Sequence, residues 1–138
     1  MRQATGMLQI TTSRQGLIEM TGPILRWLAE QDIADGLLTV FCRHTSASLV
    51  IQENAAPAVR RDMEAYFARL APESALYEHD DEGPDDMPAH LKTALTGVQL
   101  SIPVIDGRPA LGTWQGIYLF EHRISPHRRS LALHLIGT

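Results

Sequence analysis

The sequence predicts an α+β fold whose core is a mostly antiparallel β-sheet or a pair of packed sheets. Strand-like segments outnumber helical ones, and towards the C-terminus they follow one another in hairpin-like succession. The regular alternation of strand and helix that a Rossmann or barrel fold requires is absent. A chain of 138 residues with 44% hydrophobic side chains is expected to form one domain, residues 1–138, with its own core.

The first elements are predicted from β-branched residues and helix-start signals. Residues 6–12 are expected to form a strand, followed by a short return strand at 17–20. Thr21 is a suitable N-cap, and the apolar side chains after it recur at helical spacing. We therefore expect a helix at about residues 22–34, ended by Gly36.

The middle of the chain predicts two strands and a longer helix. Residues 37–43 alternate like a strand, and His44 falls on the same face as the alternate apolar side chains. Another short strand is expected at 49–52. Asn54 is a suitable cap for a helix that runs to about residue 70. Its apolar face would consist of Val59, Met63, Phe67 and Leu70.

The last elements follow a polar segment. Pro88 is expected to open a short third helix that ends near Gly97. The strands predicted after it cover residues 99–105, 110–114, 116–123 and 131–136. The expected fold therefore has two to three helices and its longest run of strands at the C-terminal end.

The polar segment, residues 77–92, is the first candidate site because it sets two histidines among carboxylates, a mixture suited to a cation or to proton transfer. His79 and His90 flank its acidic residues, and His44 would be the third imidazole of a divalent metal site, with zinc or magnesium as the ion. The alternative is that His79 is solvated and His90 only occupies the first turn of a helix.

Neighbouring charged residues have both chemical and structural interpretations. Glu82 and Asp86 are candidates for an acid, a base or a metal ligand. Asp85 and Asp86 are also suited to capping the helix that follows. Lys92 is either a solvated surface lysine or a cation that neutralises a phosphate oxygen near His90.

A second candidate cluster lies at residues 112–116, where two glycines bracket Thr113, Trp114 and Gln115. These side chains offer a stacking face and hydrogen bonds to a flat or phosphorylated ligand. A β-bulge with a core tryptophan is the structural alternative. Glu121 falls on the apolar face of a strand, so it would need a basic partner or mark a solvent edge. The candidate partners are Arg123, Arg128 and Arg129.

Composition argues against several classes of protein. The net charge of −4 and pI of about 5.8 disfavour a nucleic-acid surface. The sequence shows neither a secretion signal nor an apolar run of membrane-spanning length, so no membrane partner is expected. Cys42, the single cysteine, is expected in the core, and a reducing cytoplasm is the expected location. No nucleotide-binding glycine motif or serine-hydrolase elbow occurs.

Several strings in order carry a resemblance over nearly the whole chain. They are His44-Thr45-Ser46-Ala47, Glu53-Asn54 with Pro57 and Arg60-Arg61-Asp62, His79 to Glu82 running on to Met87-Pro88-Ala89-His90-Leu91-Lys92, Ile102-Pro103-Val104, and Leu111-Gly112-Thr113-Trp114-Gln115-Gly116-Ile117. With them the chain resembles the YjbQ-like family, whose members are often called secondary thiamine-phosphate synthase enzymes. Where many members read Glu-Gly-Asn, this chain has Glu82-Gly83-Pro84, so the role of that amide does not transfer.

The resemblance implies a small α+β domain with a β-sandwich-like core that assembles as a homotrimer, with sites near subunit boundaries. It also implies a weak activity that joins hydroxymethylpyrimidine diphosphate to a thiazole phosphate. The family's polar positions fall on His44, Thr45, Asn54, Asp62, His79, Glu82, Asp86, His90, Lys92, Thr113, Trp114, Gln115, Glu121 and Arg129. We assign catalytic roles to Glu82, Asp86, Lys92 and Glu121, substrate binding to Thr45, Asn54, Thr113, Trp114, Gln115 and Arg129, and the metal to His44, His79 and His90.

Two functional hypotheses follow. The first is a metal-assisted transferase, or a hydrolase of a small phosphorylated or ester substrate, with the histidines on the ion and Glu82 or Asp86 as acid or base. The second is a non-catalytic trimeric module that binds a small anion or metabolite. Its pocket would consist of Lys92, Arg129 and the N-terminus of the third helix.

Overall fold

The computed structural model describes residues 1–138 as three helices and eight strands arranged in two antiparallel sheets. In chain order the elements are β1 (Arg2–Thr11), β2 (Gly16–Glu19), α1 (Thr21–Ala29), β3 (Gly36–Cys42), β4 (Ala47–Glu53), α2 (Pro57–Leu70), α3 (Asp86–Thr96), β5 (Gln99–Ile105), β6 (Arg108–Pro109), β7 (Gln115–Glu121) and β8 (Arg128–Gly137). One sheet has the order β1-β8-β3-β5-β6 and the other β2-β7-β4. The predicted α+β class with mainly antiparallel sheets is confirmed.

The core lies between the two sheets and α1. Alternate residues of β3 and β8 point inwards, as the strand period of two requires, and Leu38 and Leu135 are fully buried. Leu49 of β4 and Leu119 of β7 face them from the smaller sheet, and Ile24 of α1 belongs to the same cluster. None of the three helices is both long and apolar enough to cross a membrane.

Helix α1 is shorter than its sequence pattern predicts, because it ends at Ala29 and not at residue 34. Asp32 adopts a left-handed backbone with φ of 52°, which breaks the helical hydrogen-bond ladder. Gly36 therefore does not end the helix; it begins β3. A Cβ atom at this position would lie 2.2 Å from the carbonyl oxygen of Ile136, so the close approach of β3 and β8 requires glycine.

The residues predicted to cap α2 and α3 do not form side-chain capping hydrogen bonds. The carboxylate of Glu53, not the side chain of Asn54, accepts hydrogen bonds from the N–H groups before α2. Helix α3 begins at Asp86, two residues before Pro88, and neither Asp85 nor another residue caps it through a side chain. The side chain of Asp85 is engaged elsewhere, as described below.

A buried ion pair joins β7 to β8. The guanidinium of Arg129 donates to Glu121 over 2.8 Å, and their side chains are 4% and 0% exposed. Thr12 also donates to this carboxylate, at 2.6 Å. Burial by itself would raise the pKa of Glu121, but Arg129 and Thr12 outweigh it and lower the pKa. The inward-facing carboxylate predicted from the strand pattern therefore has Arg129 as its partner.

Replacing Arg129 by Met should lower the free energy of unfolding by about 3–5 kcal/mol, because it leaves the Glu121 carboxylate buried without a countercharge. The exposed neighbour provides the control, and Arg128→Met should stay within about 0.5 kcal/mol of wild type. Urea denaturation of both variants, of Glu121→Gln and of the double variant Glu121→Gln, Arg129→Met measures the free energies of unfolding. A double variant that loses as much free energy of unfolding as Glu121→Gln and Arg129→Met added together would show that the pair is not coupled.

Candidate functional site

His79, Asp86 and His90 converge into a group that we call the His–Asp cluster. The Nε2 atom of His79 lies 2.8 Å from Oδ2 of Asp86, and Nε2 of His90 lies 3.3 Å from the same oxygen. One ligand atom from each residue lies within 4.8 Å of the other two. Such spacing is close enough for one cation to be shared, since Zn–N and Zn–O bonds are each about 2 Å long.

Local structure explains why these residues meet. Asp86 and His90 are four residues apart on α3, which places both side chains on one face of the helix. The loop before α3 brings His79 to that face. Nδ1 of His90 lies 2.9 Å from the carbonyl oxygen of Thr45. Because a carbonyl only accepts, Nδ1 carries the proton, and Nε2 is the nitrogen that faces the cluster.

Arg123 holds the acidic side of the cluster in place. Its guanidinium donates to Asp85 at 2.9 Å, to Asp86 at 2.8 Å and to the carbonyl oxygen of Glu82 at 2.8 Å. Burial alone would raise the pKa of Asp86, but the hydrogen bond from His79 and the charge of Arg123 outweigh it and lower the pKa. Asp86 is thus a buried carboxylate that is held in its ionised form.

His79 is the exposed member of the cluster, and its pKa is raised, chiefly by the hydrogen bond to Asp86. Glu82 lies 3.2 Å from its Nε2 atom and is 61% exposed. Asp81 lies 3.4 Å from the other ring nitrogen, so His79, Asp81 and Glu82 form a second, overlapping group of possible ligands. This side of the cluster faces solvent.

Comparison with known proteins identifies the family. The model of the UPF0047 protein YjbQ-like family matches residues 6–138. A UPF0047 protein of Synechocystis sp. is 47% identical over 99% of this chain and 93% of its own length. YjbQ of Escherichia coli O157:H7 is 45% identical over 94% of this chain and 95% of its own. The chain belongs to the YjbQ-like family.

Solved structures of similar fold agree with this assignment. The crystal structure of a hypothetical protein from Aeropyrum pernix K1 matches with a TM-score of 0.90 at 30% identity, covering 98% of this chain and 99% of that one. The crystal structure of a YjbQ/UPF0047 family protein from Clostridium acetobutylicum matches with a TM-score of 0.87 at 33% identity, covering 94% of this chain and 98% of that one. The fold described above is therefore the YjbQ-like fold.

In this YjbQ-like chain His44 stands apart from the cluster. Its Nε2 atom accepts the backbone N–H of Ser130 at 2.8 Å, and it belongs to neither group of possible ligands. Burial lowers the pKa of His44, so the ring is neutral around pH 7. With Thr45 and His90 it lines an open pocket of about 690 Å³. The placement favours a role for His44 in the pocket wall over a role on the ion.

Lys92 and Arg129 are also separated from the cluster. Lys92 is 6% exposed and lines another cavity, with Phe120 and His122, so it is not a solvated surface lysine. It lies two residues after His90, which directs it to a different face of α3. Arg129 is engaged with Glu121. The anion pocket predicted from Lys92, Arg129 and the helix N-terminus is therefore not assembled within one chain.

The cluster at residues 112–116 lies at the far end of the smaller sheet. Gln115 begins β7 and Glu121 ends it, and six strand steps separate them by about 20 Å. The backbone N–H of Asn54 donates to the carbonyl oxygen of Trp114, whose residue is 62% exposed. Thus Asn54, Thr113, Trp114 and Gln115 meet one another, but within one chain they do not meet the His–Asp cluster.

Sequence reasoning overlooked the main role of Arg123. It considered this residue only as a partner for Glu121, whereas Arg123 clamps Asp85 and Asp86. The signal was present in the adjacent Asp85-Asp86 pair, two carboxylates that needed a shared cation if either was to be buried. Which arginine supplies that cation depends on how the chain is folded.

NMR titration should give His79 a pKa above its ordinary value of 6.5, because Asp86 stabilises the imidazolium. Since the folded-state pKa is raised, the contribution of His79 to stability is complete below pH 6.5 and is lost as pH rises through the folded-state pKa. Asp86→Asn should return the pKa of His79 towards 6.5. Asp81→Asn is the control and should have a smaller effect. Equal effects of the two variants would contradict this account.

Proposed function

We propose that the chain is an enzyme that acts on a small phosphorylated substrate with the help of a divalent cation held by His79, Asp86 and His90. The observation that supports this proposal is the convergence of two imidazoles and an ionised carboxylate within 4.8 Å. Two histidines and one carboxylate suit zinc, and such a ligand set leaves positions for water or substrate. Magnesium prefers oxygen ligands, so the donor set favours zinc.

A cation in this position would offset the negative charge of phosphate oxygens and of a pyrophosphate leaving group. The chain's own residues would orient the ligands of the cation and transfer a proton. Arg123 keeps Asp86 oriented and ionised, and Thr45 fixes the tautomer of His90. Glu82, which is exposed beside His79, would accept a proton from a substrate.

The adjoining pocket supports a substrate that carries a ring. It lies next to the cluster, since His90 lines it, and Phe41 and Val98 provide apolar walls. Together with the family resemblance, these apolar walls favour the coupling of hydroxymethylpyrimidine diphosphate to a thiazole phosphate with release of pyrophosphate. A hydrolase of another phosphorylated substrate would use the same groups, and water would replace the thiazole as nucleophile.

Calorimetric titration with zinc should reveal about one site per chain in the wild type. Asp86→Asn and His90→Ala should each weaken binding by at least about tenfold, because each removes a ligand or its charge. The matched control is His127→Ala, since His127 lies outside the cluster and contacts the backbone of Ser125. Wild-type protein that does not bind zinc, or a loss of affinity in the control equal to that in His90→Ala, would overturn the metal assignment.

Turnover is tested separately. Hydroxymethylpyrimidine diphosphate and thiazole phosphate are the substrates, and both thiamine phosphate and pyrophosphate are detected as products. Activity should fall after chelation, return with added zinc, and be lost in Asp86→Asn. Glu82→Gln should reduce turnover more than zinc affinity if Glu82 moves a proton. Zinc binding without any product would remove the synthase proposal and leave the hydrolase, which a panel of phosphate esters would test.

We also propose that the protein is a homotrimer, as the resemblance implies. The outer face of the larger sheet supports association, because Leu37, Phe41 and Ile136 point away from the core and are 42%, 42% and 39% exposed. Met7 shares this face through β1 and β8 and is 47% exposed. Phe41 also lines the pocket beside His90, so a copy that covers this face would border the candidate site.

Light scattering should give a mass about three times that of the 15.3 kDa chain. Phe41→Asp should shift the population towards smaller species, because it places a charge in the apolar face. Leu76 is fully exposed elsewhere, so Leu76→Asp is the matched control and should leave the mass unchanged. A monomeric wild type, or a trimer that Phe41→Asp leaves intact, would contradict an interface on this face.

A further inference from the structure

We propose that the cavity around Lys92 is a second ligand site, which binds a small carboxylate-bearing molecule. The cavity has a volume of about 200 Å³ and is lined among others by Glu64, Phe67, Lys92, Phe120 and His122. It lies between α2, α3 and the end of β7 and does not include the His–Asp cluster. The proposal is therefore independent of the function proposed above.

Lys92 is the feature that points to a ligand. It is the only lysine of the chain, all other basic side chains apart from histidine being arginine. It is 6% exposed, and its amine forms no hydrogen bond and no ion pair within 4 Å, although the carboxylates of Glu73 and Asp85 act on its charge from further away. A buried ammonium group without a directly bonded partner is costly, so an acceptor of opposite charge in the cavity would stabilise it.

His122 is an independent indication at the same cavity. It is 1% exposed, and its Nε2 atom lies 2.9 Å from the hydroxyl of Ser48, whereas Nδ1 has no hydrogen-bond partner. Buried polar atoms of this kind are nearly always satisfied in folded proteins. Two residues whose polar groups lack partners thus border one cavity, and a bound molecule with oxygen atoms would supply a partner at least for Lys92.

Charge and shape define the chemical class. Glu121 also lines the cavity but is neutralised by Arg129, whereas Glu64 is a further carboxylate that accepts the N–H of Leu17. Lys92 is the only lysine or arginine that lines the cavity, and the nearby carboxylates of Glu73 and Asp85 add negative charge around it, which matches a monoanion and disfavours a phosphate dianion. Phe67 and Phe120, packed edge to face with centroids 5.4 Å apart, provide an apolar wall for a short carbon chain. A small carboxylate fits both features.

The single lysine allows a direct test with acetate as the probe. Protein labelled with ¹⁵N-lysine should give one side-chain Nζ resonance, which can be followed at constant ionic strength as acetate replaces chloride. We expect a saturable shift of this resonance with acetate, and little shift in a parallel titration in which phosphate replaces chloride. A resonance that does not move from its position in chloride, a shift that does not saturate, or an equal shift with phosphate would each overturn the proposal. So would an Nζ shift showing that the amine is uncharged with acetate bound.

Variants locate the binding. Lys92→Met keeps the length of the side chain and should weaken acetate binding by calorimetry about tenfold or more, because the charged hydrogen bond is lost. Ala68→Leu leaves Lys92 in place but fills part of the cavity that Ala68 lines, and it should also weaken binding. Arg61→Met removes an exposed charge outside the cavity and should have no effect. Acetate binding that both cavity variants leave unchanged would contradict the site.

Discussion

The contact of Arg123 with Asp85 and Asp86 is the interaction on which the candidate site depends. Residues 71–85 contain no helix or strand, so regular backbone hydrogen bonds do not position them. Arg123 ties the end of this segment and the first turn of α3 to the strand β7, which is anchored in the core. It also contacts the carbonyl oxygen of Glu82. Without this guanidinium, two adjacent carboxylates would be buried side by side with no fixed cation, an arrangement that strongly disfavours ionisation of both.

Glu121, the last residue of β7, and the two residues after it have separate contacts because their side chains point in different directions. Glu121 pairs with Arg129 and joins the sheet to β8. His122 turns towards α3, where burial lowers its pKa to about 3 and keeps the ring neutral. Arg123 reaches the acidic residues. The strand end therefore connects the core, the Lys92 cavity and the His–Asp cluster. A shift of β7 would change the side-chain positions at all three.

The sequence predicts the parts of the structure that depend on local pattern. Alternation in residues 37–43 and helical spacing along α2 are properties of neighbouring residues, and both elements lie where they are expected. The meeting of His79 and His90 was also predictable, because α3 directs His90 towards the preceding loop.

The position of Lys92 was not predictable in the same way, since it is buried only because α2 and β7 close over one face of α3. His44 gave a misleading signal for a similar reason. The strand face of His44 can be predicted from the sequence. Its hydrogen bond with the N–H of Ser130, which lies 86 residues further along the chain, cannot.

Protons and a cation would compete for the same atoms in the His–Asp cluster. The hydrogen bond to Asp86 raises the pKa of His79, so protonation of this ring persists to higher pH than in a free imidazole. Asp86 behaves in the opposite way, because its lowered pKa keeps it ionised across the physiological range. A cation would therefore displace a proton from His79 but not from Asp86, and its affinity would fall as His79 becomes protonated. With the proton bound, the cluster is an imidazolium held by a carboxylate, a pair that would serve the proposed enzyme as a general acid without any metal. With the proposed cation, the same three residues would provide two chemical states, and pH and metal concentration together would determine which one a substrate encounters.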